Sequence, residues 1–201
     1  MSTLFYLHGF NSSTGSYKAC QTREWFATNK PAVKFVVPQL PDHPGQIPDV
    51  IDRAIELHTG VRASQLESAC NSDVALIGSS MGGFFANYFA EKYRCKAVLI
   101  NPVVFPHRML QDHLGRHRNP YTGVEYSLEQ GMIAPLSNQV VRNMHSPARR
   151  FVMLQKGDEV LDYREAENFY ASSHLHVEDG GDHSFVNYDR WLPRIALFLG
   201  L

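Results

Sequence analysis

The feature that most constrains this fold is an apolar run that leads directly into a glycine-rich turn, Asp73-Val-Ala-Leu-Ile-Gly-Ser-Ser-Met-Gly-Gly-Phe-Phe-Ala86. A strand pattern followed by Gly-x-Ser-x-Gly and then by an amphipathic helix is typical of a nucleophile elbow. Only Gly78, Ser80 and Gly82 fit that spacing, because a register centred on Ser79 would put isoleucine at a glycine position. Such a turn strains the serine backbone and lifts the hydroxyl clear of the chain. We therefore predict Ser80 as a nucleophile.

A serine nucleophile of this kind needs an acid and a histidine base, in the chain order Ser, then Asp or Glu, then His. Of the ten histidines, His183 has the most suitable context, since it lies in Gly180-Gly-Asp-His-Ser-Phe between a strand pattern at 174–178 and a helix pattern at 185–199. A glycine-rich turn at a strand end lets an imidazole reach over the edge of the sheet. The alternative is a structural residue at the helix start, with Ser184 as the cap.

The acid is expected just after the buried strand pattern of residues 151–154, where Asp158 is the first carboxylate. An acid at this place holds the histidine tautomer and stabilises the imidazolium. Glu159 would point away on a tight turn, and Asp162 has the position of a cap for the next helix. Asp182 is too close to the histidine in sequence to support it from behind. We therefore predict Asp158 as the third member of the site.

Two backbone N–H groups are expected to form an oxyanion hole. One belongs to Met81, the residue after the predicted nucleophile. The other follows the first strand pattern, where His8-Gly9 precedes Phe10. We assign the second donor to Phe10, with Asn11 as the near alternative, and we expect His8 to hold the loop rather than to act in catalysis. By itself, His-Gly after a strand is also compatible with an ordinary turn.

Composition describes an ordinary globular chain of 201 residues, with 44% hydrophobic and 19% charged residues. A net charge of −1 gives no reason to expect a nucleic-acid partner. The cysteines Cys20, Cys70 and Cys95 are odd in number and show no paired or metal spacing, which indicates a reducing compartment. No apolar run reaches membrane length, and a strand pattern from about residue 3 predicts no signal peptide. We expect a cytoplasmic protein, and its oligomeric state is not indicated.

Strand and helix patterns alternate along the chain, and the strand cores are continuous apolar runs, as in strands covered on both faces. Strand patterns fall at about residues 3–8, 33–37, 73–78, 96–101, 150–155 and 174–178. Helix patterns fall at about residues 16–28, 46–58, 82–93, 162–172 and 185–199. We predict one α/β domain over residues 1–201, with a roughly six-stranded parallel sheet flanked by helices. The predicted site residues then lie past the carboxyl ends of strands, where ligands bind in such sheets.

The segment between Pro102 and Pro147 breaks this alternation, since it has no clear strand pattern and is rich in proline, glycine and polar residues. Because it follows the fourth strand, we interpret residues at about 103–147 as a short lid over the site. The residues that we expect to line a substrate pocket are Asn11, Phe105, Leu110 and Tyr121.

The first part of the lid is basic, and it carries Arg116 and Arg118 within residues 107–118. We favour a solvated helix face for this stretch, and the alternative is an anion site, for example for the phosphates of an acyl-CoA. His113 and His117 have the i, i+4 spacing of a metal pair, but no third ligand is evident. We therefore expect no metal and no cofactor.

The chain resembles the α/β-hydrolases, and more closely the small YqiA-type bacterial esterases. The segments that carry the resemblance are Tyr6-Leu-His-Gly-Phe-Asn-Ser-Ser, Val37-Pro-Gln-Leu-Pro, Gly78-Ser-Ser-Met-Gly-Gly, Asn101-Pro, Asn119-Pro-Tyr-Thr-Gly, Gly157-Asp-Glu-Val-Leu-Asp-Tyr-Arg and Gly180-Gly-Asp-His-Ser-Phe. Asn119-Pro-Tyr-Thr-Gly is the most specific, because no general hydrolase signature requires it. The resemblance implies hydrolysis of short acyl esters by a triad of Ser80, Asp158 and His183.

Two alternatives to the esterase interpretation stay open from the sequence. The first is an acyl-CoA thioesterase that uses the basic residues of the lid. The second is a binding or scaffold protein that keeps hydrolase geometry without useful turnover. In each case the expected partner is a small molecule, an acyl ester or a thioester for the two enzymes.

Overall fold

The computed structural model describes residues 2–65 and 71–201, so Cys70 lies outside the described residues. Its main sheet has six strands in the order β2-β1-β3-β4-β7-β8, and every neighbouring pair is parallel. The strands are β1 (Thr3–Leu7), β2 (Lys34–Val36), β3 (Val74–Ser79), β4 (Lys96–Ile100), β7 (Arg150–Gln155) and β8 (His174–Glu178). This confirms the predicted parallel α/β architecture.

Helices cover both faces of the sheet, as right-handed crossovers between parallel strands require. They are α1 (Tyr17–Asn29), α2 (Ile47–Thr59), α3 (Met81–Lys92), α4 (Pro106–Met109), α5 (Gln130–Ile133), α6 (Tyr163–Phe169) and α7 (Leu192–Leu199). Buried residues of α1 and α7 form one core cluster, and those of α2, α3 and α6 contribute to the other. The sheet therefore lies between two helical layers.

Side chains of β1 show how one strand supplies both core layers. Leu4 and Tyr6 belong to the cluster beneath α1 and α7, whereas Phe5 and Leu7 belong to the opposite cluster. Successive side chains point to opposite faces of a strand, so a strand covered on both sides must be apolar throughout. β1, β3 and β7 are buried at every position, which explains the continuous apolar runs in the sequence.

Residues 102–149 leave the sheet between β4 and β7, and we call this segment the excursion. It contains α4, α5, short 3-10 turns and a two-stranded antiparallel hairpin of β5 (Gly115–Arg118) and β6 (Glu125–Leu128). The sequence-based expectation of no strand here is wrong. β5 reads Gly-Arg-His-Arg and is largely exposed, so no apolar alternation marks it. The hairpin is defined by backbone pairing and by side-chain contacts to the rest of the fold.

The last helix also begins later than its pattern predicts. α7 starts at Leu192 and is preceded by a single 3-10 turn at Tyr188–Trp191. Phe185 and Asn187 have φ values of 63° and 58°, in the left-handed region that interrupts a right-handed helix.

Among the described residues, no helix combines the length and the apolar character needed to cross a bilayer.

Candidate active site

The site is built around a sharp turn between β3 and α3, with Ser80 at its centre. Ser80 has φ 57° and ψ −121°, a conformation that a non-glycine residue adopts only under strain. The flanking glycines are required by close backbone approach. A Cβ atom at Gly78 would lie 2.1 Å from the carbonyl oxygen of Gly82, and one at Gly82 would lie 2.0 Å from the carbonyl oxygen of Leu7. The turn is therefore a nucleophile elbow by its geometry.

The structure brings Ser80, His183 and Asp158 into one hydrogen-bonded row. His183 Nε2 lies 3.0 Å from Ser80 Oγ, and His183 Nδ1 lies 2.8 Å from Asp158 Oδ2. The carboxylate can only accept, so Nδ1 carries the proton and Nε2 is left to accept from the hydroxyl. The Asp158 side chain is 2% exposed and that of His183 is 21% exposed. The acid is thus shielded from solvent, while the imidazole reaches the surface.

The second carboxylate oxygen of Asp158 is occupied by its own turn. Oδ1 accepts hydrogen bonds from the N–H groups of Val160 and Leu161, at 2.9 and 2.8 Å. This leaves Oδ2 to face the imidazole. Asp162 accepts from the N–H of Arg164 and caps α6, as its position in the sequence predicts.

Two buried polar side chains hold the loop that carries His183, and sequence reasoning did not assign them this role. Gln155 Oε1 accepts from the N–H groups of Asp182 and Val186, at 3.2 and 2.8 Å. Asn101 Nδ2 donates to the carbonyl oxygens of Asp182 and His183, at 3.0 and 3.3 Å. Each residue lies at the carboxyl end of an apolar strand. A polar residue at that position is the signal that could have identified them.

The loop after β1 lies directly against the elbow. A Cβ atom at Gly9 would lie 3.3 Å from Ser80 Cβ. Phe10 and Ser80 both line the same groove, and Met81 begins α3. Among the residues that the structure describes, neither the Phe10 N–H nor the Met81 N–H has an acceptor. Both N–H groups that the sequence predicts as oxyanion donors are therefore free of a competing hydrogen bond among the described residues.

His8 fixes the start of this loop and takes no part in the row at Ser80. It is 3% exposed, and its Nε2 accepts from the N–H of Leu40 at 3.1 Å. Its Nδ1 then carries the proton, 3.0 Å from the carbonyl oxygen of Gly9. Burial lowers the pKa of His8, which keeps the ring neutral and able to accept.

The Asn119-Pro-Tyr-Thr-Gly segment forms the turn of the β5–β6 hairpin and fastens it to the loop after β1. Asn119 is 1% exposed, and its Nδ2 donates to Ser12 O and to Asp42 Oδ1, at 3.2 and 2.7 Å. Its Oδ1 accepts from the N–H groups of Tyr121 and Thr122. All four hydrogen-bonding positions of the amide are therefore used.

A second contact joins the hairpin to the same loop. The Tyr126 hydroxyl donates to Asn11 Oδ1 at 2.5 Å, and the ring of Tyr126 meets Phe10 edge-on. The excursion therefore supports the loop that carries one predicted oxyanion donor.

An open groove of about 370 Å³ runs past the serine. Its walls include Phe10, Asn11, Lys18, Ser80, Tyr121 and His183. Asn11 and Tyr121 thus lie where substrate binding was predicted. Leu110 does not, because it is fully buried in the core cluster to which α2, α3 and α6 contribute. Phe105 also lies elsewhere, since it packs edge-on against Phe169 and beneath Arg108.

The basic stretch of residues 107–118 is not the single solvated helix face that the sequence favoured. It passes from α4 through a 3-10 turn into β5, where Arg116 and Arg118 are exposed. His117 lies on β5 with its Nε2 2.5 Å from the carbonyl oxygen of His113. Within residues 2–65 and 71–201, no group of three or more His, Cys, Asp or Glu side chains could hold a metal ion.

Solved structures with this fold include several hydrolases. Est1E from Butyrivibrio proteoclasticus, with ferulic acid bound, matches with a TM-score of 0.67 and 12% identity over 98% of this chain and 88% of its own. The esterase Pf2001 from Pyrococcus furiosus matches with a TM-score of 0.65 and 15% identity over 99% and 80% of the two chains. FphF, a fluorophosphonate-binding serine hydrolase from Staphylococcus aureus, matches with a TM-score of 0.64 and 22% identity over 99% of this chain and 84% of its own.

At these identities the likeness shows a shared fold, that of the α/β-hydrolases. The comparison with family models is more specific, because one model covers residues 3–200, which is nearly the whole chain. That match includes the elbow, the loop of His183 and the hairpin turn at Asn119. The chain belongs to the uncharacterised protein family UPF0227.

Proposed function

We propose that this protein is a serine hydrolase of carboxylic esters. Ser80 is the nucleophile, His183 the general base and acid, and Asp158 the group that orients the imidazole. The Phe10 and Met81 N–H groups form the oxyanion hole. No cofactor takes part, and short-chain acyl esters are the expected substrates.

The observation that carries the proposal is the row of contacts at 2.8 and 3.0 Å from Asp158 through His183 to the hydroxyl of a strained serine. A serine hydroxyl is a weak nucleophile until a base accepts its proton. A carboxylate behind the base fixes the tautomer that can do so. The open groove beside Ser80 supplies room for a small substrate. Solved neighbours that are esterases and serine hydrolases add support at the level of the fold.

The reaction proceeds in two halves. In the first, Ser80 Oγ bonds to the acyl carbon while His183 Nε2 accepts the hydroxyl proton, and the carbonyl electron pair moves onto the oxygen. The Phe10 and Met81 N–H groups stabilise that oxyanion, and each such donor contributes about 3 kcal/mol in related sites. The C–O bond to the alcohol then breaks, and His183 gives its proton to the departing oxygen.

In the second half, water attacks the acyl-enzyme. His183 accepts a proton from the water, the oxyanion forms again in the same place, and the acid leaves as the Ser80 hydroxyl is restored. Atoms balance with one ester and one water consumed and one acid and one alcohol formed.

Ester hydrolysis by a Ser80→Ala variant tests the proposal. We expect kcat for 4-nitrophenyl butyrate to fall by about four to six orders of magnitude, because the three side chains act as a unit. Ser79→Ala is the matched control, since Ser79 is the neighbouring serine and lies in the same strand–turn segment. It should stay within about tenfold of the wild type, as a change outside the acting group. Equal activity of wild type and Ser80→Ala would overturn the proposal.

A further inference from the structure

Lys18 is a cation in the wall of the groove at Ser80 that the proposed mechanism does not use. It lies in the first turn of α1, and its Nζ donates to the carbonyl oxygen of Ser184 at 2.6 Å. Ser184 directly follows His183, so this contact puts the ammonium next to the catalytic loop. An ammonium has three donors, and the bond to Ser184 uses one of them.

No ion pair joins Lys18 to any of the described residues. Desolvation lowers the pKa of Lys18 to about 8, while the charges of Asp182 and Asp158 act in the opposite direction. These acids have other partners. Asp158 accepts from its own turn and faces His183, and Asp182 accepts from the Ser184 hydroxyl. A partly buried ammonium that has no ion pair and uses one of its three donors can accept a carboxylate of a ligand in the groove as a further partner.

Ser16, another residue in the wall of the groove, begins the helix that carries Lys18. Ser16 Oγ is buried, has no hydrogen-bond partner among the described residues, and belongs to a residue in the wall of the groove. Ser16 is the N-cap of α1, but its side chain makes no capping bond. The first N–H groups of a helix have no acceptor within the helix and favour negative charge. Lys18 and the start of α1 thus both contribute to the wall of the groove that contains Ser80.

We propose that Lys18 binds a carboxylate of the substrate, so that the preferred esters carry a negative charge beside the scissile bond. The inference rests on the proposed ester hydrolysis and names its substrate class. Asp158, Glu159 and Asp182 lie around the same groove or near Lys18. A single carboxylate fits these surroundings better than a phosphate with two charges, because nearby carboxylates repel additional negative charge.

Matched ester pairs test this selectivity. The first pair is 4-nitrophenyl butyrate and mono-4-nitrophenyl glutarate, which differ by a carboxylate in the acyl part. The second pair is methyl 4-(butyryloxy)benzoate and 4-(butyryloxy)benzoate, which differ in the alcohol part. The measured quantity is the ratio of kcat/KM for the charged ester to that for the neutral one. A ratio within one protein preparation does not depend on the fraction that is folded.

In Lys18→Met we expect this ratio to fall by about ten- to hundredfold in at least one pair, the range for a hydrogen bond to a charged group. Lys18→Arg should keep most of the ratio because it keeps the charge. Lys34→Met is the control for net charge, since Lys34 is the first residue of β2, at the amino ends of the parallel strands and away from the carboxyl ends that form the site, and it donates to the carbonyl oxygen of His58. Its ratio should equal that of the wild type.

Two results would overturn the inference while the proposed function stands. One is an equal ratio in wild type and Lys18→Met with clear hydrolysis of the neutral esters. The other is an equal loss on charged and neutral esters, which would mean that Lys18 only positions the loop of His183. Failure of the wild type to hydrolyse any of the four esters would instead count against ester hydrolysis itself.

Discussion

The carboxyl edge of the main sheet and the excursion of residues 102–149 contribute to the same site by different means. At the sheet edge, the regular parallel strands β3, β7 and β8 end on the same side of the sheet, with β4 between β3 and β7, and position Ser80, Asp158 and His183. In the excursion, a polar hairpin is held by the individual side chains Asn119 and Tyr126. Regular backbone pairing positions the first set, and specific hydrogen bonds position the second.

This difference determines how each region should respond to substitution. At the sheet edge the backbones approach so closely that one added carbon atom has no room. At the glycines of the excursion, Gly115, Gly123 and Gly131, an added Cβ would meet no atom closer than 3.7 Å. Removal of a satisfied polar group there instead leaves its buried partners without a hydrogen bond. The comparison therefore predicts sensitivity to added volume in one region and to lost hydrogen bonds in the other.

The largest effect is expected from Gly82→Ala, which adds a Cβ atom where the backbones of the sheet edge are in close contact. Its new Cβ would lie 2.0 Å from the carbonyl oxygen of Leu7, and backbone cannot move aside as a flexible side chain can. We expect a loss of about 3 kcal/mol or more in the free energy of unfolding, at the upper end for overpacking. Urea denaturation followed by circular dichroism measures it.

Gly131→Ala is the matched control in the excursion. Gly131 lies in α5, and nothing is within 4 Å of the position that its Cβ would take. Because alanine is the better helix former, we expect the free energy of unfolding to rise by about 0.5–1 kcal/mol. A similar loss from both variants would contradict the claim that tight backbone contact is specific to the sheet edge.

A smaller effect is expected from Asn119→Ala, which tests the excursion. The variant removes the donor to Asp42 and to the Ser12 carbonyl, so we expect a loss of about 1–3 kcal/mol in the free energy of unfolding. Because the same bonds support the loop of Phe10, kcat for ester hydrolysis should fall more than KM changes. Steady-state kinetics and urea denaturation of one preparation measure both.

The control for Asn119→Ala is Asn138→Ala, an exposed asparagine of the same excursion. It should change stability by less than about 0.5 kcal/mol, as is usual at surface positions. If Asn119→Ala behaved like Asn138→Ala, the hairpin would not depend on the buried amide.

The smallest effect is expected from acid pH, which acts on stability through the buried side chain of His8, the residue after β1. Burial lowers the pKa of His8 in the folded protein below its ordinary value of 6.5. As pH falls below 6.5, the unfolded chain binds a proton that the folded ring does not. The contribution of His8 to the free energy of unfolding is therefore fully present above pH 6.5. It is lost as pH falls below 6.5, by at most about 1.4 kcal/mol per pH unit.

Urea denaturation between pH 5 and 7.5 of wild type and His8→Gln measures this contribution. The wild type should lose stability toward acid more steeply than the variant, whose amide oxygen can accept from the Leu40 N–H but does not titrate. Parallel curves would show that His8 does not contribute to the acid sensitivity.

Sequence patterns identified the sheet and the strand ends because burial on both faces imposes continuous apolar runs, and the glycines of the elbow are imposed by backbone contact. The hairpin could not be predicted, since β5 is polar and exposed and takes its place from contacts distant in sequence. Leu110 illustrates the same limit, because an apolar residue suits a pocket or a core equally well. The partners of Gln155 and Asn101 could not be predicted, because they lie in the loop of His183, which is distant from both residues in sequence.

The central claim is that His183 activates the hydroxyl of Ser80, and the most direct test is the rate of labelling by a fluorophosphonate probe, with the modified residue identified by peptide mass spectrometry. Only an activated serine reacts stoichiometrically. We predict one label per chain, at Ser80, and a labelling rate at least about a thousandfold lower in His183→Ala, since the base is lost. Labelling at another residue, or an equal rate at Ser80 without the imidazole, would contradict the account.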